Sequence, residues 1–177
     1  PQARSLLSTG LHRTGDERYY RNTLGETLLG SRVAVQSASW HMGITAFHLA
    51  YDKKYRENNY GYNRFDFNGS AYSCFGTDYS LLLNNFHFFG ESALIPGRGY
   101  ATLNGCIAAL GASLSAGMLH RYYPPSFTNI KASGFRENSE TQNENGTYGG
   151  IVLNLPHSLL VSAYYDIFSF PWLKYHV

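Results

Sequence analysis

The chain has 177 residues, enough for one domain with a substantial core. Its formal net charge of +2 and its 15% of charged residues indicate neither a nucleic-acid surface nor an acidic tail. No apolar run approaches the roughly 18 residues of a membrane-spanning helix, which excludes a helical membrane protein. A membrane β-barrel is still compatible with this composition, because its inward-facing polar residues dilute the hydropathy.

The first 24 residues are polar and irregular, and we interpret them as a loop or as the tail of a preceding segment. The sequence begins Pro-Gln-Ala-Arg, with neither an initiator methionine nor a signal peptide. We therefore expect a fragment of a longer chain, with processing of targeting segments as the alternative.

From residue 25 to residue 177 the sequence alternates between apolar and polar side chains, as β-strands do. The central unit is a hairpin over 70–95, with a tight turn at 83–85. Eight strands are predicted, near 25–37, 41–51, 66–82, 86–95, 100–109, 113–123, 146–155 and 158–168. Cys74 and Cys106 fall on strands that are not neighbours, which favours two free buried thiols over a bridge.

The connections between these strands alternate in length. Tight turns are predicted near residues 39, 84, 111 and 156, and longer loops at 52–64, 96–99, 124–145 and from 169 onward. In an up-and-down sheet this places the turns at one end and the loops at the other. Outer-membrane barrels have that asymmetry, and strands of about 10 to 13 residues are long enough to cross a bilayer when tilted. The predicted fold is therefore all-β, an antiparallel up-and-down transmembrane β-barrel or part of one.

Aromatic residues lie near the predicted strand ends, where barrels carry interfacial girdles. The residues predicted for this position are Trp40, Tyr51, Tyr122, Tyr123 and Trp172. A soluble β-sandwich or lipocalin-like barrel is the alternative. The long strands and the near absence of Lys and Glu from the outward faces weigh against it.

If the apolar faces meet lipid, the opposite faces point into a lumen. The charged residues predicted to line it are Glu26, Arg32, Asp78, Glu91, Arg121 and Asp166. Opposite charges there would either pair across strands in a plugged interior or line a path for a solute. No nucleophile elbow, metal-ligand cluster or phosphate loop is visible, so we expect neither catalysis nor a metal or other cofactor.

Several short motifs in the sequence are similar to those of a known protein family. They are Tyr-Asn-Arg-Phe at 62–65, Phe-Phe-Gly-Glu at 88–91, Arg-Tyr-Tyr at 121–123, Gln-Asn-Glu at 142–144 and Phe-Pro-Trp-Leu at 170–173. Residues 25–177 resemble the outer-membrane β-barrel region of the Bacteroidota helix-hairpin-helix domain-containing protein family. The helix-hairpin-helix part has no counterpart here, so no DNA-related role is carried over. The resemblance implies one arc of a larger barrel.

The function expected is a non-enzymatic, channel or uptake-type barrel in the bacterial outer membrane. The alternative is a plugged barrel that acts as a structural or assembly subunit. The expected partners are membrane lipid or lipopolysaccharide, with other outer-membrane subunits contacting the 124–145 loop. We expect no nucleic-acid partner for these residues.

Overall fold

A computed structural model describes residues 2–3, 13–19, 21–55 and 60–174 of the chain. Nine strands of this part form one sheet, and one short helix, α1 (Gly15–Tyr19), precedes the long strands. The strands are β1 (Gln2–Ala3), β2 (Glu26–Gln36), β3 (Trp40–Tyr55), β4 (Gly69–Leu83), β5 (Phe86–Ile95), β6 (Gly99–Ala109), β7 (Leu114–Tyr123), β8 (Glu144–Leu155) and β9 (Leu159–Ser169). The eight predicted strands are confirmed as β2 to β9.

Each of the strands from β2 to β9 pairs antiparallel with the next, which gives the predicted up-and-down sheet. β1 adds two residues in parallel to the end of β3, at Lys54 and Tyr55. Among the described residues β9 pairs only with β8, and β2 only with β3. The sheet of the described residues is therefore open and does not close into a barrel, whereas the sequence predicts a transmembrane barrel or part of one.

Some predicted boundaries differ from the observed ones. Residues 52–55 belong to β3 and 144–145 to β8, although both were predicted as loop. β3 continues because Tyr55 keeps the alternation and stacks on Phe67, with ring centroids 6.0 Å apart. The connection at 96–98 is as short as the tight turns, so the predicted alternation of lengths is not strict.

The predicted loop at 1–24 contains β1 and α1. Residues 1, 4–12 and 20 of that segment, and 56–59 of the predicted 52–64 loop, lie outside the described residues. The remaining long connections, 60–68 and 124–143, leave the sheet at one end, which we call the loop end. The turns at 37–39, 84–85, 110–113 and 156–158 lie at the other, the turn end.

The two faces of the sheet differ in charge. Residues that pair across strands share a face, and successive residues of a strand alternate between faces. The face that carries Arg32 and Asp78 is called the charged face, and the opposite one the uncharged face. Apart from Asp52 and Lys54 at the loop end of β3, the uncharged face of β2 to β9 carries no Lys, Arg, Asp or Glu.

The uncharged face is rich in exposed apolar side chains. Examples are Leu29 (75% exposed), Val33 (68%), Ile44 (67%), Met118 (58%) and Ile167 (70%). The core lies on the charged face instead, at the loop end. It consists of Leu49, Tyr51, Tyr55, Phe67, Tyr72, Cys74, Ile95, Ala101, Tyr123 and Phe127.

Cys74 and Cys106 are both free, as predicted, but Cys106 is only partly buried and lies on the uncharged face. In the described part of the chain, no helix has the length and apolar character needed to cross a membrane.

Candidate functional site

The six residues predicted to line a lumen all lie on the charged face. One row of paired positions runs from Asp78 through Glu91 and Leu103 to Arg121. Asp166, Arg32 and Glu26 share this face through the alternation of their own strands. Five of the six form ion pairs, Glu26 with Lys131 outside the sheet, while Glu91 forms no ion pair with another described residue.

The first ion pair joins β2 to β4 across β3. Arg32 donates from Nη1 to Asp78 Oδ1 at 2.5 Å and from Nη2 to Asp78 Oδ2 at 2.9 Å. His41 Nε2 lies 2.7 Å from Asp78 Oδ2. Gly43 on the intervening strand leaves room for the pair, since a Cβ there would lie 2.6 Å from Arg32 Nη2. The pair is partly exposed, which limits its contribution to stability.

The second ion pair is buried and joins β7, β8 and β9. The Arg121 side chain is fully buried and donates from Nε to Glu144 Oε1 at 2.5 Å. It also donates from Nη1 and Nη2 to the two carboxylate oxygens of Asp166, at 3.0 Å each. Its guanidinium lies over the rings of Phe135 (5.2 Å) and Phe168 (5.9 Å). Two carboxylates and two rings therefore compensate one buried cation.

Glu144 is the member of this site that the sequence analysis missed. Its side chain is fully buried, and its carboxylate accepts the backbone N–H groups of Glu137 (3.0 Å) and Asn138 (2.7 Å). It therefore ties residues 124–143, which we call the plug segment, to the sheet. The sequence does contain a signal for Glu144, because the residue lies in step with Gly146 and Tyr148, which share the charged face of β8.

Several further contacts hold the plug segment against the charged face. Lys131 Nζ donates to Glu26 Oε1 at 2.7 Å, and Tyr51 Oη donates to the other oxygen of Glu26 at 3.1 Å. Tyr72 Oη donates to Asn129 Oδ1 at 3.0 Å. Tyr123 Oη donates to the Phe135 carbonyl oxygen at 3.0 Å. The segment thus reaches from β7 and β8, where it starts and ends, across to β2.

Arg98 fastens the plug segment to the other loops. It donates to Thr128 Oγ1 at 2.8 Å and to the Asn68 carbonyl oxygen at 3.0 Å, and its guanidinium lies 4.9 Å from the centre of the Phe67 ring. Burial lowers the pKa of the Arg98 guanidinium from its usual value. The ordinary value is high enough that Arg98 keeps its charge at physiological pH.

A pocket of about 510 Å³ lies between the plug segment and the middle of the charged face. The residues that line it include Arg32, Asp78 and Glu91 on the charged face and Phe127 in the plug segment. Glu91 is the lining residue whose charge no described residue compensates through an ion pair. The pocket can accommodate solvent or a small polar molecule.

Four of the five predicted interface aromatics lie on strands, two on each face of the sheet. Trp40 and Tyr122 lie on the uncharged face, Trp40 at the turn end and Tyr122 at the loop end, beside Tyr100. Tyr51 and Tyr123 are buried in the core on the charged face, so their assignment to an interface does not hold. The reason is the alternation itself, since neighbours such as Tyr122 and Tyr123 must point to opposite faces.

Trp172 lies beyond β9 and joins the loops. Its Nε1 donates to the Gly61 carbonyl oxygen at 2.8 Å, and its backbone N–H donates to Asn143 Oδ1 at 2.7 Å. The ring also packs edge-on against Phe65 at 5.1 Å. The contacts with Gly61 and Phe65 bring the chain after β9 to the connection between β3 and β4. The sheet is therefore strongly curled around its charged face.

Across the described ranges, no three His, Cys, Asp or Glu side chains are placed to hold a metal ion. No protein-family model, curated protein or solved structure matches the chain. The two faces of the sheet and the plug segment are therefore the features of this chain that bear on its function.

Proposed function

We propose that this sheet forms the wall of a β-barrel in the bacterial outer membrane. The barrel is non-enzymatic, and residues 124–143 plug its interior. In this role the uncharged face contacts lipid, or lipopolysaccharide in the outer leaflet, and the charged face lines the interior. The barrel then serves as a structural or assembly subunit whose loop end is available to other outer-membrane proteins. Membership of the Bacteroidota family that the motifs resemble is part of the same proposal.

One observation carries the proposal, and it is the segregation of charge between the faces. An Arg or Lys side chain on the lipid face of a barrel costs about 2–4 kcal/mol at the bilayer midplane, and Asp or Glu is also unfavourable there. Eight strands without a charge on one face, outside the loop end of β3, meet that requirement. The solvent face of a soluble sheet carries Lys and Glu instead, and monomeric soluble proteins rarely expose so large an apolar patch.

The stagger of the strands also supports a barrel. The first hairpin ends at the Gln36–His41 pair. Following the paired residues from His41 across the sheet, strand by strand, leads to Asp166 on β9. The last hairpin ends at the Leu155–Leu159 pair, and Leu159 lies seven residues from Asp166 toward the turn end of β9. Seven residues of about 3.3 Å over six strand spacings of about 4.8 Å correspond to a tilt of about 39°. Barrel strands tilt by about 35–45°.

The plug segment favours the structural role over transport. It is held by the Glu144 carboxylate, by the Lys131–Glu26 ion pair and by buried side chains such as Phe127, which is 1% exposed. A segment fastened at this many points closes the interior near the loop end. The pocket beside Glu91 is the observation that favours the second candidate, a channel or uptake barrel with a small solute bound there.

Fractionation of the natural membranes tests the location, and planar-bilayer conductance separates the two roles. We expect the protein in the outer-membrane fraction after carbonate and urea washes, and no conductance from the purified protein. Recovery in the soluble fraction would contradict the membrane proposal. Steady conductance that decreases in a Glu91→Gln variant would favour the channel.

A further inference from the structure

The pocket between the plug segment and the charged face contains a carboxylate without a counter-charge. Glu91 lines this pocket, is exposed, and forms no ion pair with another described residue. The volume of about 510 Å³ lies within the range of about 300–1,000 Å³ that is usual for small-molecule sites. A carboxylate in such a confined space attracts a cation more strongly than one in bulk water, because the effective dielectric constant is lower.

Two described cations line the same pocket, and both are paired with other acids. Both terminal nitrogens of Arg32 donate to the carboxylate of Asp78. Lys131 Nζ donates to Glu26 Oε1 at 2.7 Å. Neither cation is therefore available to Glu91, whose negative charge is in excess in the pocket lining.

Small side chains leave space beside Glu91 on the side that leads to the loop end. Gly76, Ala93 and Ala101 lie at paired positions on three neighbouring strands and form the floor of the pocket. A Cβ on Gly76 would meet nothing closer than 3.7 Å. Phe127 of the plug segment, which is 1% exposed, also lines this space. The pocket thus combines one charged end with an apolar remainder.

This combination favours an organic ammonium ion over a metal ion or an anion. A divalent metal ion requires several oxygen ligands, and no three His, Cys, Asp or Glu side chains are suitably placed in the part of the chain that the structure describes. An ammonium group is satisfied by one carboxylate and by neutral acceptors, such as the Ser133 hydroxyl oxygen in the pocket lining. An anion would be repelled by Glu91.

Resting on the proposed function, in which the charged face lines the interior of a barrel, we infer that this pocket binds a small organic ammonium ion. The ammonium group lies at Glu91, and the apolar part extends over Gly76 and Ala93 toward Phe127. Such a ligand contacts the wall and the plug segment together. Its binding therefore stabilises the plugged arrangement.

Isothermal titration calorimetry of the natural protein, purified in detergent at a fixed sodium chloride concentration, tests this inference. The probe is phenethylammonium. Hydrocinnamate has a similar shape with the opposite charge, and phenethyl alcohol has a similar shape without charge. Glu91→Gln removes the carboxylate, and Ala93→Leu fills the floor of the pocket. Glu140→Gln is the matched control, since Glu140 is exposed and is not among the residues that line the pocket.

We expect saturable binding of phenethylammonium by the parent protein and by Glu140→Gln. Glu91→Gln and Ala93→Leu should each weaken this binding by about tenfold or more, and the parent should bind the alcohol and hydrocinnamate more weakly by a similar factor. Urea unfolding checks the folding of the variants. Because Glu91 has no ion pair to lose, Glu91→Gln should unfold at a urea concentration no lower than the parent.

The inference would be overturned by an absence of saturable phenethylammonium binding, by equal binding of hydrocinnamate, or by binding that Glu91→Gln leaves unchanged. Absence of binding in protein recovered from the outer-membrane fraction would reject this inference alone. Phenethylammonium binding that depends on Glu91, in a protein found in the soluble fraction, would support the pocket and contradict only the membrane role.

Discussion

At the scale of single residues, Arg121 contacts two carboxylates and two aromatic rings on the charged face. Its fully buried guanidinium is shared by Glu144 and Asp166, and removing it leaves a buried carboxylate without a counter-charge. Loss of one partner from a buried ion pair costs about 3–5 kcal/mol, whereas replacing the whole set by apolar groups can be neutral. The network therefore favours one arrangement of β7, β8 and β9 more than it adds net stability.

We predict that Arg121→Met lowers the free energy of unfolding by about 3–5 kcal/mol. Urea unfolding in detergent, followed by tryptophan fluorescence, measures the change. Arg32→Met is the control, since the Arg32 side chain is 46% exposed and its loss leaves a partly exposed Asp78. An equal effect of the two substitutions would contradict the structure around Arg121.

A second prediction at this scale concerns the space that glycines leave for the arginines. A Cβ on Gly146 would lie 2.8 Å from Arg121 Cζ and 3.0 Å from Phe168 Cβ, whereas one on Gly117 would meet nothing closer than 3.6 Å. We expect Gly146→Ala to destabilise the protein by about 1–3 kcal/mol through overpacking. Gly117→Ala should leave the urea midpoint close to that of the parent protein, and the reverse order of the two variants would be inconsistent with this packing.

At the scale of elements, the plug segment is the part whose attachment can be tested separately. Glu144 accepts two of its backbone N–H groups, and Arg136 lies between the contacts made by Phe135 and Glu137. We predict that Glu144→Gln increases trypsin cleavage after Arg136 in the folded protein, as measured by mass spectrometry. Glu140→Gln removes an exposed carboxylate nearby and should leave the cleavage rate unchanged. Equal cleavage of both variants would show that Glu144 does not hold the segment.

The two ends of the sheet should face opposite sides of the membrane. We predict that a cysteine at Ser139, in the plug segment, reacts with a membrane-impermeant maleimide on intact cells. A cysteine at Asn85, in a tight turn, should react only after the outer membrane is permeabilised. The labelling is done after Cys74 and Cys106 are replaced by serine. Reaction of both positions on intact cells would contradict this orientation.

Alternation was sufficient to predict the eight strands and the face shared by Glu26, Arg32, Asp78, Glu91, Arg121 and Asp166. The alternation is informative because every second side chain of a strand is polar wherever the two faces of the sheet have different environments. Glu144 was missed because it lies at a border where the loop composition of 124–143 hides the first residues of β8. Tyr51 and Tyr123 lie near strand ends, as interface aromatics do, but their position in the alternation places both side chains in the core on the charged face.

At the scale of the whole molecule, closure of the sheet is the feature that the sequence did not determine. Local patterns define each strand and each hairpin, but the partners of the edge strands depend on residues far away in the chain or outside it. The Trp172–Gly61 contact indicates that the sheet is curled, and the register indicates a strand tilt of about 39°. Neither observation determines the number of strands in a closed sheet.

Contact between the uncharged face and lipid can be tested most directly at two neighbouring residues of β7. Met118 lies on the uncharged face and Leu119 on the charged face, one position apart. Each is replaced in turn by a cysteine carrying a fluorophore, in protein without Cys74 and Cys106, and reconstituted into vesicles with brominated acyl chains. We predict strong quenching at position 118 and little at position 119. Equal quenching at both positions, or quenching at neither, would contradict the account.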